Sequence, residues 1–152
     1  MANGLLIGDD ERVAAWAFAA FQRYPTKVDR CLGIVGPDKN LIGAILLQNF
    51  NGTNIELSYY GPRTLSLGIV RAIGKIVSLE FNAARLTVVT SKKNKRLMRA
   101  LQRLGFHLEG AQRRYFGHRD CSRNVGVRFV LFREEIDRIA RIESVLPEQK
   151  AN

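Results

Sequence analysis

Residues 55–68, IELSYYGPRTLSLG, together with the segment that follows, constrain the fold more than any other part of the chain. Ile55, Leu57 and Tyr59 alternate with Glu56, Ser58 and Tyr60, a period of two that predicts a strand with two differently used faces. Gly61 and Pro62 then break the pattern. From Leu65 the period lengthens. Ile69, Ile73 and Ile76 fall at i, i+4 and i+7, with Val70 and Val77 beside them and Arg71, Lys75 and Ser78 opposite. That spacing predicts an amphipathic helix to about Phe81. A strand that turns tightly into a helix leaves backbone N–H groups and the positive end of the helix dipole at the turn, a place suited to a phosphate.

The rest of the chain reads as further short elements around this unit. Residues 5–7 predict a first strand, and Asp9 or Asp10 can cap a helix whose apolar positions are Val13, Trp16, Ala17, Ala20 and Phe21, ended by Pro25. Trp16 is read as core, since it falls in that stripe. Residues 31–35 and 41–48 are strands joined by the turn signal Gly36-Pro37-Asp38-Lys39-Asn40, and residues 49–54, NFNGTN, make a second turn into the central strand. Three antiparallel strands in a meander are therefore expected. After the central helix, residues 85–90 form a β-branched strand. The strand–helix–strand succession makes the flanking strands parallel. Ser91 or Asn94 can cap the next helix, where Leu97, Leu101 and Leu104 make the apolar stripe, with Met98 alongside, and Gly105 the C-terminal signal. Residues 106–116 and 124–132 read as two strands around the polar loop GHRDCSR. A last helix covers 134–146 with Ile136, Ile139, Ile142 and Leu146 as its apolar stripe, Pro147 stops it, and 147–152 is a loose tail. The whole of 1–152 is expected to be one domain, with a core of about 5–133. The fold class is α/β (α+β): a central mixed sheet of six to seven strands flanked by helices.

Charge is distributed unevenly. Residues 85–133 hold 13 Lys/Arg against Glu109 and Asp120, a net +11, while the remainder carries 11 basic and 12 acidic residues. Such a segment suits a polyanion: a phosphorylated cofactor, nucleic acid or an acidic partner surface. Charge alone also fits a solvated face. No apolar run reaches the ~20 residues of a membrane span, and the N-terminus lacks the basic and apolar regions of a secretion signal. The two cysteines, Cys31 and Cys121, form no disulfide framework, so a cytoplasmic setting is expected. No metal site is expected: His118 and Cys121 have a metal-like spacing but no second pair to complete four ligands. His107 is read as a strand residue.

Two stretches carry a resemblance. Arg63-Thr64-Leu65-Ser66-Leu67-Gly68 resembles the Gln/Arg-x-x-Gly-x-Gly/Ala turn of the GNAT superfamily of N-acetyltransferases, with Ser66 where the first Gly is usual. Residues 94–110, NKRLMRALQRLGFHLEG, resemble the fourth-helix signature of that superfamily, with Asn at the helix start, a Leu stripe and Gly-Phe leading into a strand. Glu109-Gly110 followed by Arg113 and Arg114 looks most like the branch of ribosomal-protein N-terminal acetyltransferases and their relatives, some of them phage-encoded. The element order matches that layout over about residues 5–133.

The resemblance implies a cofactor, acetyl-CoA, and its place. The central strand and the strand after the helix would splay apart around the pantetheine arm, pairing it with backbone near Ser58 and Tyr59. The N–H groups of Leu65, Ser66, Leu67, Gly68 and Ile69, with Arg63 and Thr64, would hold the pyrophosphate. Asn94 would reach the cofactor, and Lys92, Lys93 and Arg96 the 3′-phosphate side. Ser66 fits if its φ stays negative. Glu56 is then the candidate base, acting through water, or else a strand-face ion-pair partner. Leu101 stands where the family often has the acid Tyr. Tyr115, read as a strand residue that either packs or supplies the acid, is the candidate in its place, with Tyr59 and Tyr60 as alternatives. Glu109 belongs to the match and has either a functional or a structural role. The implied activity is acetyl transfer to a primary amine: a protein N-terminus, a lysine or a small molecule, with a basic groove favouring an acidic acceptor. The acceptor groove would involve the first helix, the loop 117–124 and the C-terminal helix. The alternatives are an inactive member of the fold serving as an interaction module, and a nucleic-acid-binding protein using the +11 segment. Ile136, Ile139 and Ile142 pack either within the domain or across a homodimer.

Overall fold

The computed structural model describes residues 3–21, 27–62 and 65–142. Seven strands run in chain order as β1 (Gly4–Leu6), β2 (Val28–Val35), β3 (Leu41–Gln48), β4 (Asn54–Tyr60), β5 (Arg85–Ser91), β6 (His107–Gln112) and β7 (Gly126–Phe132). The helices are α1 (Asp10–Phe21), α2 (Leu67–Lys75), α3 (Lys95–Arg103) and α4 (Arg133–Ala140). One sheet takes all seven strands in the order β1-β2-β3-β4-β5-β7-β6. The expected meander β2-β3-β4 is antiparallel throughout, and β4 and β5 are the parallel pair, joined by α2 as a crossover. Positive φ at Lys39 (66°) and Gly52 (93°) closes the two turns expected around 36–40 and 49–54.

The sheet separates two faces by the alternation of its strands. Leu32 and Ile34 of β2, Ile45 and Leu47 of β3, Ile55 of β4, Leu86 and Val88 of β5, and Val127, Phe129 and Leu131 of β7 point to one side. There Ile69, Ile73, Leu101 and Ile136 of the helices cover them. The other side has a smaller buried cluster, Val13 and Ala17 of α1 over Cys31, Ala44 and Leu46. Of the two cap candidates, Asp9 immediately precedes α1, its carbonyl accepting from the Val13 N–H (3.1 Å), and Asp10 is the first helical residue. Its Oδ2 accepts from the Cys31 backbone N (2.9 Å) and Arg30 Nε (3.1 Å), which ties the start of α1 to β2. Pro25 lies outside the described residues.

Ser78 departs from its expected place on the polar stripe. After Lys75 the helix widens into a π-type turn, Ile76–Glu80, with the Phe81 N–H bonded to the Ile76 carbonyl (3.2 Å). The wider turn rotates Ser78 inward to 1% exposure. Its hydroxyl donates to Asp137 of α4, which also pairs with Arg133 at 3.2 Å. α4 therefore packs on α2 within the same chain, with Ile136 buried, and Gly74 lets Ala140 approach so closely that an added Cβ would meet it at 3.1 Å. Arg141 (φ 59°) ends the helix, and residues 143–152 lie outside the described part. β6 is exposed along its length and shorter than the expected 106–116, because the pairing shifts register between Leu108 and Gly110 and the chain leaves the sheet after Gln112. Among the described residues, no helix is long and apolar enough to cross a membrane.

Candidate functional site

The β4–β5 pairing stops halfway. Asn54 to Leu57 are matched with Arg85 to Val88 and no further. Beyond that point each strand stays with its outer neighbour: Ser58, Tyr59 and Tyr60 with Leu46, Ile45 and Ala44 of β3, and Val89, Thr90 and Ser91 with Arg128, Val127 and Gly126 of β7. The two strands thus separate at their C-terminal ends and expose a run of backbone N–H and C=O groups on the inner edge of β4. Packing holds both arms. On one, Gly43 and Gly61 approach so closely that a Cβ on Gly61 would lie 2.8 Å from the Gly43 Cα, and Gly61 sits at φ 144°. On the other, the loop 113–125 clasps the end of β5 and β7. Ser91 Oγ donates to the Arg123 carbonyl (2.7 Å), Lys92 N–H to the Val125 carbonyl (2.9 Å), and the Tyr115 ring lies over Gly126, where a Cβ would come within 2.7 Å of it.

Helix α2 begins at the open end of this split. Ser66 is its N-cap, with φ −67° and ψ 152°, and its Oγ accepts from the Ile69 N–H at 3.2 Å. A serine therefore fits where glycine was the expected residue, since the turn needs no positive φ. The cap uses the Ile69 N–H. Those of Leu67 and Gly68, in the first turn, have no partner within the helix. Both residues are exposed, a Cβ on Gly68 would meet nothing closer than the Ser66 Oγ at 3.8 Å, and the first turn of α2 carries no acidic residue. The Leu65 side chain packs on the main core. Arg63 and Thr64 lie outside the described residues. α3 starts at the same end, just beyond β5. Asn94 caps it, its Oδ1 accepting from the Leu97 N–H (3.2 Å), and Lys92, Lys93, Lys95 and Arg96 around this start are exposed. Leu101 is buried in the main core, so the position expected of an acid Tyr serves packing.

On the α1 side the split opens into a cleft of about 160 Å³. Glu56, Ser58 and Tyr60 of β4 form its floor with Thr87 and Val89 of β5, Phe18 of α1 overhangs it, and Tyr115 and Phe116 close the far wall. Glu56 and Tyr115, 59 positions apart in sequence, thus meet in one cavity. Tyr115 is in the loop after β6 rather than on a strand, held by its N–H and that of Phe116 on the Asn124 carbonyl (2.8 and 3.1 Å). Among the described residues, no cationic side chain pairs with Glu56. Its Oε1 accepts from Asn49 Nδ2 at 3.1 Å, which orients the carboxylate without neutralising it. Glu109 is not among the residues that line the cleft: it pairs with Arg85, whose Nε also reaches Asn54 Oδ1 at 3.2 Å. Tyr59 is excluded from the cleft by the strand period. Its ring packs on the opposite face, its hydroxyl donates to the Pro62 carbonyl, and burial raises its pKa.

Sequence reasoning missed Asn49, Gln48, Phe18 and Phe116. Asn49 looked like a turn residue and is one, at φ 55°. That left-handed conformation, which Asn tolerates, aims its amide at Glu56. Gln48 accepts from Ser58 Oγ at 2.9 Å beside it.

No known protein-family profile matches the chain, and no curated protein matches it by sequence. Solved structures do. A spermidine/spermine N-acetyltransferase SpeG from Vibrio cholerae, solved with manganese ions, superposes with a TM-score of 0.71 at 12% identity, covering 93% of this chain and 97% of that one. A dodecameric structure of spermidine N-acetyltransferase from the same organism gives 0.70 at 13%, covering 93% and 98%. An acetyltransferase of the GNAT family from Bacillus anthracis gives 0.56 at 14%, covering 68% and 66%. At these identities the likeness establishes the fold, which is the GNAT fold.

Proposed function

We propose that the chain is an acetyl-CoA-dependent N-acetyltransferase that passes an acetyl group directly to a primary amine. The observation that carries this reading is the partial β4–β5 pairing, with a serine-capped helix start at its open end and, on its floor, the Glu56 carboxylate held by Asn49. The residues present fit the cofactor. The free edge of β4 at Ser58 and Tyr59 offers hydrogen bonds to an extended amide chain, as an added strand would use them. The N–H groups of Leu67 and Gly68 and the dipole of α2 suit a pyrophosphate, and Lys92, Lys93 and Arg96 suit a further phosphate.

Bound there, the cofactor supplies an acetyl thioester. The protein's own groups do the rest. The cleft would hold the amine beside Glu56, which would take one proton from the ammonium through water. The bound thioester would supply acyl transfer, with a C–N bond replacing the C–S bond; the hydroxyl of Tyr115 or Tyr60 would give a proton to the thiolate and regain one from the second N–H proton that the nitrogen sheds, so that one proton in all leaves through Glu56. Positioning supplies much of the rate, since both reactants are held in one cleft. The neighbours named for spermidine acetylation support an amine acceptor, and the stretch from Glu109 to Arg114 supports a protein N-terminus among the candidates.

The test is CoA release from acetyl-CoA in the presence of a panel of amines, with mass spectrometry of the acceptor. Acetylated acceptor formed by the wild type, and reduced in Glu56→Gln, is the expected result. Absence of acetyl transfer to every amine class, with the protein folded, would overturn the proposal.

A further inference from the structure

Resting on that reading, we propose that the acceptor is an amine with a single positive charge carried next to an apolar or aromatic group, and not a polyamine. The argument is the composition of the cleft. Among the described residues that line it, Glu56 is the one charged side chain, while Phe18, Leu46, Tyr60, Tyr115 and Phe116 provide apolar or aromatic surface. One ammonium finds a carboxylate there, and aromatic faces beside it add cation–π attraction. A second ammonium on the same molecule finds no second carboxylate among the described lining, only rings, aliphatic carbons and the neutral Gln48, Asn49, Ser58 and Thr87, which do not balance its charge.

Three acids of the described residues outside the lining are taken by arginines. Glu109 pairs with Arg85, Asp120 with Arg113, and Asp10 with Arg30. The far-wall residues Tyr115 and Phe116 belong, moreover, to the segment 85–133, whose net charge of +11 is less favourable to a polycation than to a singly charged amine. The chain shares its fold with spermidine acetyltransferases, but its described lining holds no second carboxylate for a further ammonium group. Two sources share the chemistry that fits, a free arylalkylamine and a peptide N-terminus whose first side chain is aromatic.

The experiment is direct binding to the full chain by calorimetry, at low salt, of four probes: 2-phenylethylamine, a phenylalanyl tripeptide amide, butylamine and spermidine. Coenzyme A is titrated separately, so that loss of the cofactor site, which would defeat the acetyltransferase reading, is distinguishable from failure of the acceptor assignment. The expected result is that one aromatic probe binds at least tenfold more tightly than spermidine and more tightly than butylamine. Glu56→Gln should weaken that binding at least fivefold, and Gln48→Glu, which adds a second carboxylate while keeping an acceptor for Ser58, should narrow the gap to spermidine. Preference for the free amine or for the peptide tells the two sources apart. Spermidine binding as tightly as the aromatic probes, or no binding by either aromatic probe, would overturn the inference.

Discussion

The two faces of the sheet use the same strands for opposite ends. On the α2–α4 face, 17 buried apolar residues form one continuous core among the described residues; on the α1 face the buried cluster has five. The larger core seals its side of β2, β3, β4, β5 and β7. The smaller one stops at β3 and β4, and the sheet beyond it is lined with Glu56, Thr87, Val89 and Tyr115 around open space. Because side chains alternate, one strand can anchor the fold and furnish the site. Ile55, Leu57 and Tyr59 of β4 face the core, and Glu56, Ser58 and Tyr60 face the other way. Stability and chemistry should therefore respond separately to mutation.

The sharpest way to break this comparison is to truncate one residue on each side. Phe129→Ala removes a ring that is 1% exposed in the larger core and should destabilise by about 3–5 kcal/mol. Tyr115→Ala removes one that is 42% exposed and should cost well under about 2 kcal/mol. Urea unfolding of the two variants measures both, and equal losses would mean that the cleft is part of the core. The second effect is catalytic. Glu56→Gln keeps the shape and the acceptor for Asn49, and should lower kcat/KM roughly 100- to 1,000-fold with the unfolding midpoint nearly unchanged. A matching loss of stability would return Glu56 to a structural role.

Next in size is the polar link inside the sealed face. Asp137→Ala leaves the buried Ser78 hydroxyl without its acceptor and Arg133 with only Asn82 and should destabilise by about 2–3 kcal/mol, read from the same unfolding curves. Asp137→Asn should recover part of it. Ser66→Ala removes the α2 cap and should cost about 1 kcal/mol. The smallest effect concerns whether α1 really closes its part of the second face. Burial raises the Cys31 thiol from 9.0 to about 11. The folded state thus favours the neutral form; the resulting stability is complete below about 9 and is lost as pH rises through about 11. A thiol reagent at pH 8 should modify partly exposed Cys121 quickly and buried Cys31 only on unfolding. Fast reaction of both would show that α1 opens.

Much of this was legible in the sequence because period reports faces directly. The alternation from Ile55 to Tyr60, the 3.6-residue stripe of Ile69 and Ile73, and the β-branched run of β5 gave the central strand–helix–strand unit and its parallel pairing. Glu56 and Tyr115 could be named singly from residue type and a family resemblance. What the period could not give was relations that depend on irregular backbone. Ser78 turned inward because a π-type turn inserts a residue into the helix. Asn49 reached Glu56 through a left-handed φ. Tyr115 met the cleft because a loop, not a strand, folds it over Gly126. Asp9 and Asp10 were equal candidates for the α1 cap; Asp9 immediately precedes the helix, and the carboxylate of Asp10 goes to the distant Arg30 and Cys31. Each of these is a long-range or non-repeating contact, for which neighbouring residues in the chain carry no signal.

The central claim is that the half-paired β4–β5 arms and the start of α2 form one cofactor site. It is tested most directly by titrating the ¹⁵N-labelled protein with coenzyme A and following its amide resonances. The account predicts that Ser58, Tyr59, Leu67 and Gly68 shift together, while Val127 and Phe129 in the sealed face stay in place. Ser66→Asp, which keeps a good helix cap but sets a negative charge at the α2 start, should weaken binding at least tenfold without unfolding the protein. Shifts confined to the exposed cations of α3, equally strong in Ser66→Asp and abolished by moderate salt, would contradict it: the basic segment would then be attracting the phosphates by charge alone, and the split between the strands would hold no ligand.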